Sequence, residues 1–189
     1  MGFYSNEELL KMGFKYLGKN VLVSKQSSIY NPRNISIGDN SRVDDYCLLS
    51  AGEEGIEIGA NVHIACYCSL IGKAKIKMDD FSGLSSRVAI YSSSDDYSGK
   101  YLTNPTVPDQ YKNVISKPVH IGKHAIIGVG AVILPNTTLG EGVAIGALAV
   151  VTKSCQEWGI YVGNPARFFK SRSKDLLALE QKYVNESNV

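Results

Sequence analysis

From Ile121 to Thr152 an aliphatic residue recurs every six positions, at Ile121, Ile127, Ile133, Leu139 and Ile145, without a slip. The fifth place of each hexad holds Ala125, Ala131, Thr137, Val143 and Ala149. A six-residue period matches neither the 3.6-residue helix nor simple strand alternation. It matches short flat strands joined by tight corners and wound into a parallel β-helix. Each aliphatic residue then enters a narrow prism-shaped core and the small fifth residue fills the space beside it. Gly122, Gly128, Gly140 and Gly146 follow the aliphatic positions, where bulk would crowd the neighbouring coil or a corner needs a permissive backbone. Coils of this kind stack at roughly 4.8 Å, the interstrand spacing, and bury a continuous aliphatic column.

The same period begins earlier. Ile37 and Val43 hold aliphatic places, with Ser41 and Cys47 in the fifth, before AGEEG interrupts the count. It restarts at Ile58, shifts by the extra Ile76 and Lys77, and continues from Met78 through Leu84 and Ile90. From 92 to 118 it stops: this 27-residue stretch carries three prolines, three tyrosines and no core period, and such an irregular excursion from a regular scaffold is usually functional. Ahead of the coils, Ser5 and Glu8 have capping-box spacing before Leu9 and Leu10, which predicts a short amphipathic helix. Behind them, Trp158 to Lys170 is expected to cross the end of the solenoid. Ser171 to Val184, with Leu176, Leu179 and Tyr183 on one face, reads as a helix capping the last coil. The chain is thus expected to form a single domain, an all-β solenoid: 1–20 an N-terminal helical segment, 21–157 the β-helix with a protruding loop at 92–118, and 158–189 an extension and capping helix.

The five registered hexads, followed by Val151-Thr152-Lys153 and Gly163-Asn164-Pro165-Ala166, resemble the hexapeptide-repeat acyltransferases over about residues 30 to 170. The likeness is greatest to the galactoside and maltose O-acetyltransferases and to the sugar acetyltransferases of surface-polysaccharide pathways. The resemblance implies a left-handed β-helix, a homotrimer with sites between subunits, acetyl-CoA as co-substrate, and a sugar or nucleotide-sugar acceptor. It places Ala147, Thr152 and Lys153 along the coenzyme groove and Arg167 and Lys170 near its phosphates, where cationic side chains give charge-assisted hydrogen bonds. It also implies that the 92–118 loop, with Tyr97, and the stretch containing Tyr67 shape the acceptor site.

The O-acetyltransferases place a histidine, as general base, where this chain has Asp95, followed by Asp96. Three readings follow. Asp95 or Asp96 is the base, if burial or mutual repulsion raises a pKa. Alternatively the acceptor is a sugar amine, which needs less help, pointing to N-acetylation. In the third, both aspartates merely support the loop. His63, expected with His120 at a hexad corner and projecting outward, is a further candidate base. The three histidines, His63, His120 and His124, also resemble those of the gamma-class carbonic anhydrases, but the spacing of His120 and His124 departs from that class, so no metal is expected. A non-catalytic hexapeptide scaffold is the remaining alternative.

The wider composition narrows the partners. A length of 189 residues suits one domain, and a formal net charge of +2 is too mild to imply nucleic acid binding. No stretch approaches a membrane span and the start lacks a signal-peptide pattern, so a cytoplasmic location is expected. Cys47 and Cys68 occupy fifth-hexad places, and the cysteines are read as buried thiols without chemistry.

Overall fold

A computed structural model describes residues 2–187, and they form a parallel β-solenoid of triangular section. The first face carries six strands, from Tyr16–Leu17 to Thr137–Leu139. The second carries eight, from Leu22–Val23 through Ala144–Ile145 to Gly159–Val162 and Arg167–Ser171. The third carries six, from Ser28–Tyr30 to Val150–Val151. Along the second face Val23, Val43, Ile64, Leu84, Ile127 and Ile145 stack in register and are buried. Along the third, Leu49, Leu70, Ile90, Ile133 and Val151 do the same. The small fifth-hexad residues from Cys47 and Cys68 to Ala149 are buried beside them. In-register stacking follows from the period, because a slip of one residue would turn every aliphatic side chain outward.

The glycines after the aliphatic positions answer to crowding. A Cβ on Gly128 would lie 2.6 Å from the backbone nitrogen of Ala147, and one on Gly122 2.8 Å from the carbonyl carbon of Gly140. The left-handed corner conformation falls at a different place. Between the first and second faces it is held by Asn20, Asn40, Asn61, Phe81, His124, Gly142 and Trp158, and between the second and third by Tyr46, Tyr67, Arg87, Gly130 and Leu148. Most of these corner residues donate their N–H to the coil before, as Asn61 does to Asp39 (2.8 Å) and Phe81 to Ala60 (2.9 Å).

The N-terminal helix, Asn6–Lys11, has its capping box: the Ser5 N–H donates to the Glu8 carboxylate (2.7 Å) and the Glu8 N–H to Ser5 Oγ (3.3 Å). Leu9 closes the first coil. The loop expected to be irregular leaves and rejoins the solenoid through a short antiparallel pair, Ser93–Ser94 with Ile115–Ser116.

The C-terminal helix departs from expectation. Strand Arg167–Ser171 occupies the start of the predicted segment, so the helix begins at Leu176 and runs to Ser187. It does not sit over the last coil. That end is closed by the antiparallel pair Gly159–Val162 and Arg167–Ser171 and by buried Trp158, over which Lys174 lies at 5.2 Å. The helix instead runs back beside the second face. Glu180 accepts from Lys123 (2.6 Å) and pairs with His124 (2.9 Å), and Tyr183 donates to Asn61 (3.2 Å) and meets Phe81 edge-on.

Replacing Gly128 by Ala forces a coil apart at the Ala147 contact. It is expected to destabilise the protein by about 1–3 kcal/mol, read as a lowered midpoint in thermal unfolding.

Candidate active site

Residues assigned to the coenzyme collect at the last coils. Ala147 is exposed at the corner between the second and third faces, and Thr152 and Lys153 are exposed just beyond strand Val150–Val151. The tip of the final antiparallel pair folds against that strand, with the Val150 N–H donating to Gly163 (3.1 Å) and the Ala166 N–H to Val150 (2.8 Å). Arg167 and Lys170 therefore stand exposed on the same end of the molecule as Thr152 and Lys153. This end offers an open, positively charged edge without carboxylate partners to Lys153, Arg167 or Lys170 among the described residues.

Asp95 lies where the loop leaves the third face, in a recess of about 450 Å³ shared with Tyr91, Tyr97, Leu134 and Pro135. Strands Ala89–Tyr91, Val132–Ile133 and Val150–Val151 pair in that order, so the recess stands over the same column that ends in Thr152 and Lys153. Asp95 is half-buried, and its carboxylate has no hydrogen-bond or ionic partner among the described residues. Asp96 differs. It accepts from the hydroxyl and N–H of Ser98, the latter at 2.8 Å, and from Asn113 (3.0 Å). These bonds hold its carboxyl below the usual carboxylate range, so the raised pKa considered for Asp96 is not found. Tyr97 is 93% exposed at the loop surface.

His63 lies on the second face. It belongs to strand His63–Ile64 and His120 to strand Val119–Ile121, so both project from faces rather than corners as expected; His124 alone holds a corner. The period counts positions from the aliphatic residue, and each strand includes the residue before it. His63 Nε2 is 2.9 Å from Asp44, whose other oxygen accepts from Arg42 Nε (2.6 Å). Burial opposes the charge on Asp44, but hydrogen bonds from His63 and Arg42 outweigh it and hold the carboxyl below its usual range. An ionised Asp44 can only accept, so His63 donates to it through Nε2–H. His63 borders a cavity of about 730 Å³ between the second face and the C-terminal helix, with Ser85, Ser86, His124 and Tyr183 on its walls. The three histidines pair with three different carboxylates, Asp44, Asp79 and Glu180. Tyr67 stands 51% exposed on the corner between the second and third faces, stacked on Tyr46 with centroids 4.9 Å apart.

Asp44, Tyr46, Ser85, Ser86 and Arg87 are not singled out by sequence reasoning. The signal available was the coil spacing, which brings Tyr46 and Arg87 beside Tyr67 in adjoining coils.

Fold and site together define an enzyme of the hexapeptide-transferase class. Residues 118–153 match the family model "Bacterial transferase hexapeptide (six repeats)". The chain is 50% identical over 183 residues to the dTDP-4-amino-4,6-dideoxy-D-glucose acyltransferase of Escherichia coli, covering 97% of this chain and 95% of that one. Among solved structures it matches AntD, an N-acyltransferase from Bacillus cereus in complex with dTDP and 3-hydroxybutyryl-CoA, with TM-score 0.95 and 48% identity over 100% of both chains. A maltose O-acetyltransferase from Clostridium difficile matches at TM-score 0.59 and 26% identity, over 89% of this chain and 75% of that one. The chain belongs to the hexapeptide-repeat sugar acyltransferases, and its co-substrate is an acyl-CoA. No helix among the described residues is long and apolar enough to cross a membrane.

The helix that walls the 730 Å³ cavity is pinned through Glu180. Burial opposes its charge, but Lys123 and His124 outweigh this and lower its pKa from the usual 4.5. With the folded-state value below the unfolded one, the contribution is complete above pH 4.5 and is lost as pH falls through the lower value. Glu180→Gln is therefore expected to speed amide exchange in residues 176–187 at neutral pH, and the wild type to do so only in acid, with core protection unchanged.

Proposed function

We propose that this chain transfers an acyl group from its CoA thioester to the amino nitrogen of a nucleotide-linked amino sugar, dTDP-4-amino-4,6-dideoxyglucose or a near relative. The observation that carries the reading is Asp95, a half-buried carboxylate without a partner among the described residues, where the O-acetyltransferases hold a histidine. A sugar hydroxyl must lose its proton to a base as it attacks. An amine needs only to be neutral, and a carboxylate serves to dock the ammonium, accept its proton and orient the lone pair. The nitrogen then attacks the thioester carbonyl. The N–C bond forms, the C–S bond breaks, CoA leaves as thiolate and takes up a proton, and a backbone N–H at the coenzyme groove holds the oxyanion.

The relatives support this assignment. Solved variants of AntD replace one aspartate and a serine ten residues before it. Three pairs here have that spacing, Ser69 with Asp79, Ser85 with Asp95 and Ser86 with Asp96, and Asp79 is already paired with Lys77 and His120. The Asp96 carboxylate is already occupied by Ser98 and Asn113, which favours Asp95. His63, oriented by Asp44, is the second candidate base. It stands on a different face from Asp95, and a homotrimer that sets one subunit's second face against the next subunit's loop would bring the two together at three interface sites. The exposed Tyr97 fits such a loop. Ala147, Thr152 and Lys153 then line the acyl-CoA groove, with Arg167 and Lys170 toward its phosphates. The acyl group is acetyl or a short hydroxyacyl, given AntD bound to 3-hydroxybutyryl-CoA. The reaction belongs to the cytoplasm, where acyl-CoA is supplied, and to the making of a modified sugar for a surface polysaccharide.

Release of CoA thiol is expected with acetyl-CoA or 3-hydroxybutyryl-CoA and the dTDP-linked 4-amino sugar, and not with its 4-hydroxy counterpart; equal rates on both would sink N-acylation. Asp95→Asn should lower kcat at least tenfold with the acyl-CoA Kd unchanged. Lys153→Ala should instead raise that Kd, by about threefold to tenfold; an unmoved Kd removes the contact.

A further inference from the structure

On the corner between the second and third faces, Tyr46, Tyr67, Arg87, Gly130 and Leu148 follow one another coil by coil. The Tyr67 N–H donates to Asp45 (3.1 Å), that of Arg87 to Cys66 (3.1 Å), that of Gly130 to Ser86 (3.0 Å) and that of Leu148 to Val129 (2.9 Å). All five have φ between +59° and +69°. At the neighbouring corner the early coils meet the same backbone demand with Asn20, Asn40 and Asn61, a residue type that tolerates the left-handed region at little cost. Two tyrosines and an arginine are poor choices there on conformational grounds.

Nor does burial explain them. Tyr46 is 53% exposed and Tyr67 51%; their rings stack on each other (4.9 Å, 19° between planes) and stay open to solvent. The Arg87 guanidinium lies 5.7 Å over the Tyr67 ring, and no carboxylate pairs with it among the described residues. Residues held in a costly conformation without a packing return point to a ligand. An exposed π-stack beside an unpaired guanidinium suits a planar base linked to phosphate: the base stacks, and the guanidinium bonds the phosphate oxygens.

We propose that Tyr46, Tyr67 and Arg87 form the platform that binds the nucleoside diphosphate of the acceptor. The proposal rests on the amino-sugar reading above and adds the residues that select its nucleotide. Position along the corner agrees. Leu148, next to the coenzyme contact Ala147, stands at the far end, two coils or roughly 10 Å beyond Arg87. Acyl donor and nucleotide thus approach from opposite ends of one edge, leaving the hexose between them at the coil that carries Ser85 and Ser86.

Calorimetric titration with dTDP and with thymidine, using CoA as control, tests this in wild type, Tyr46→Asn/Tyr67→Asn and Arg87→Asn. Asparagine keeps the corner geometry, so thermal midpoints are expected to hold or rise. The tyrosine variant should weaken both dTDP and thymidine about tenfold. Arg87→Asn should weaken dTDP about tenfold and spare thymidine; CoA binding should not move in either. Wild-type binding of dTDP that persists undiminished in the variants overturns the platform and leaves the amino-sugar reading standing. Failure of the wild type to bind dTDP overturns both. Should the tyrosine variant misfold, the dTDP-to-thymidine ratio of Arg87→Asn decides alone.

Discussion

Each coil of this solenoid is hydrogen-bonded and packed only to the coil before and the coil after, so every feature depends on strands meeting in register. Ile76 lies over Ile56 and under Val119, Leu84 over Ile64 and under Ile127, and Ile90 over Leu70 and under Ile133. The same stacking that forms the core brings backbones so close at Gly38, Gly122 and Gly128 that a single Cβ would fall within 2.8 Å of the neighbouring coil. Register therefore fixes the outside as firmly as the inside. A residue type repeated at one hexad position becomes a ladder at about 4.8 Å intervals on a face or corner.

Those external ladders are where the chain departs from repetition, and each departure has a local cause. Asn20, Asn40 and Asn61 serve their corner with minimal strain, whereas Phe81 and His124 take the same conformation and pack on each other at 5.4 Å. Through Phe81, His124 and Lys123 that corner becomes the anchorage of the C-terminal helix, which converts an exposed face into the wall of a cavity. The third face breaks differently, opening after Tyr91 into the loop that carries Asp95 and returning at Val119. One scaffold thus supports an exposed cationic edge, a recess beside Asp95 and a walled cavity without altering its core.

Much of this could be read from the chain because the period is carried by core residues that repeat. The aliphatic and small positions from Ile121 to Ala149, and the earlier ones around Ile37, Ile58 and Met78, all enter the core. The capping box at Ser5 and Glu8 was legible because both partners lie within one turn. The course of the C-terminal helix was not. Leu176, Leu179 and Tyr183 mark an apolar face equally suited to capping an end or lying along a side, and the choice is made by Lys123 and His124, more than fifty residues away. Asp95 and Asp96 were indistinguishable by position. Ser98, two residues beyond Asp96, was the available sign that Asp96 would be consumed by a local turn.

The exchange of histidine for aspartate makes chemical sense once hydroxyl and amine acceptors are compared. A sugar alcohol holds its proton far above neutral pH, so its attack requires a base able to share that proton in the transition state. An alkylammonium in water loses its proton near pH 8 to 10, leaving a competent nucleophile at modest cost. The demand then falls on selecting and aiming the amine, and an anion set in a recess does this better than a neutral imidazole, because it attracts the ammonium form that dominates in solution. A carboxylate that docked such a cation would also be placed to take the proton released when nitrogen adds to the thioester. Catalytic power in such a site comes chiefly from holding nitrogen, carbonyl carbon and oxyanion donor in line. That task suits a rigid solenoid, whose stacked coils hold the cationic edge and the recess beside Asp95 at a fixed separation.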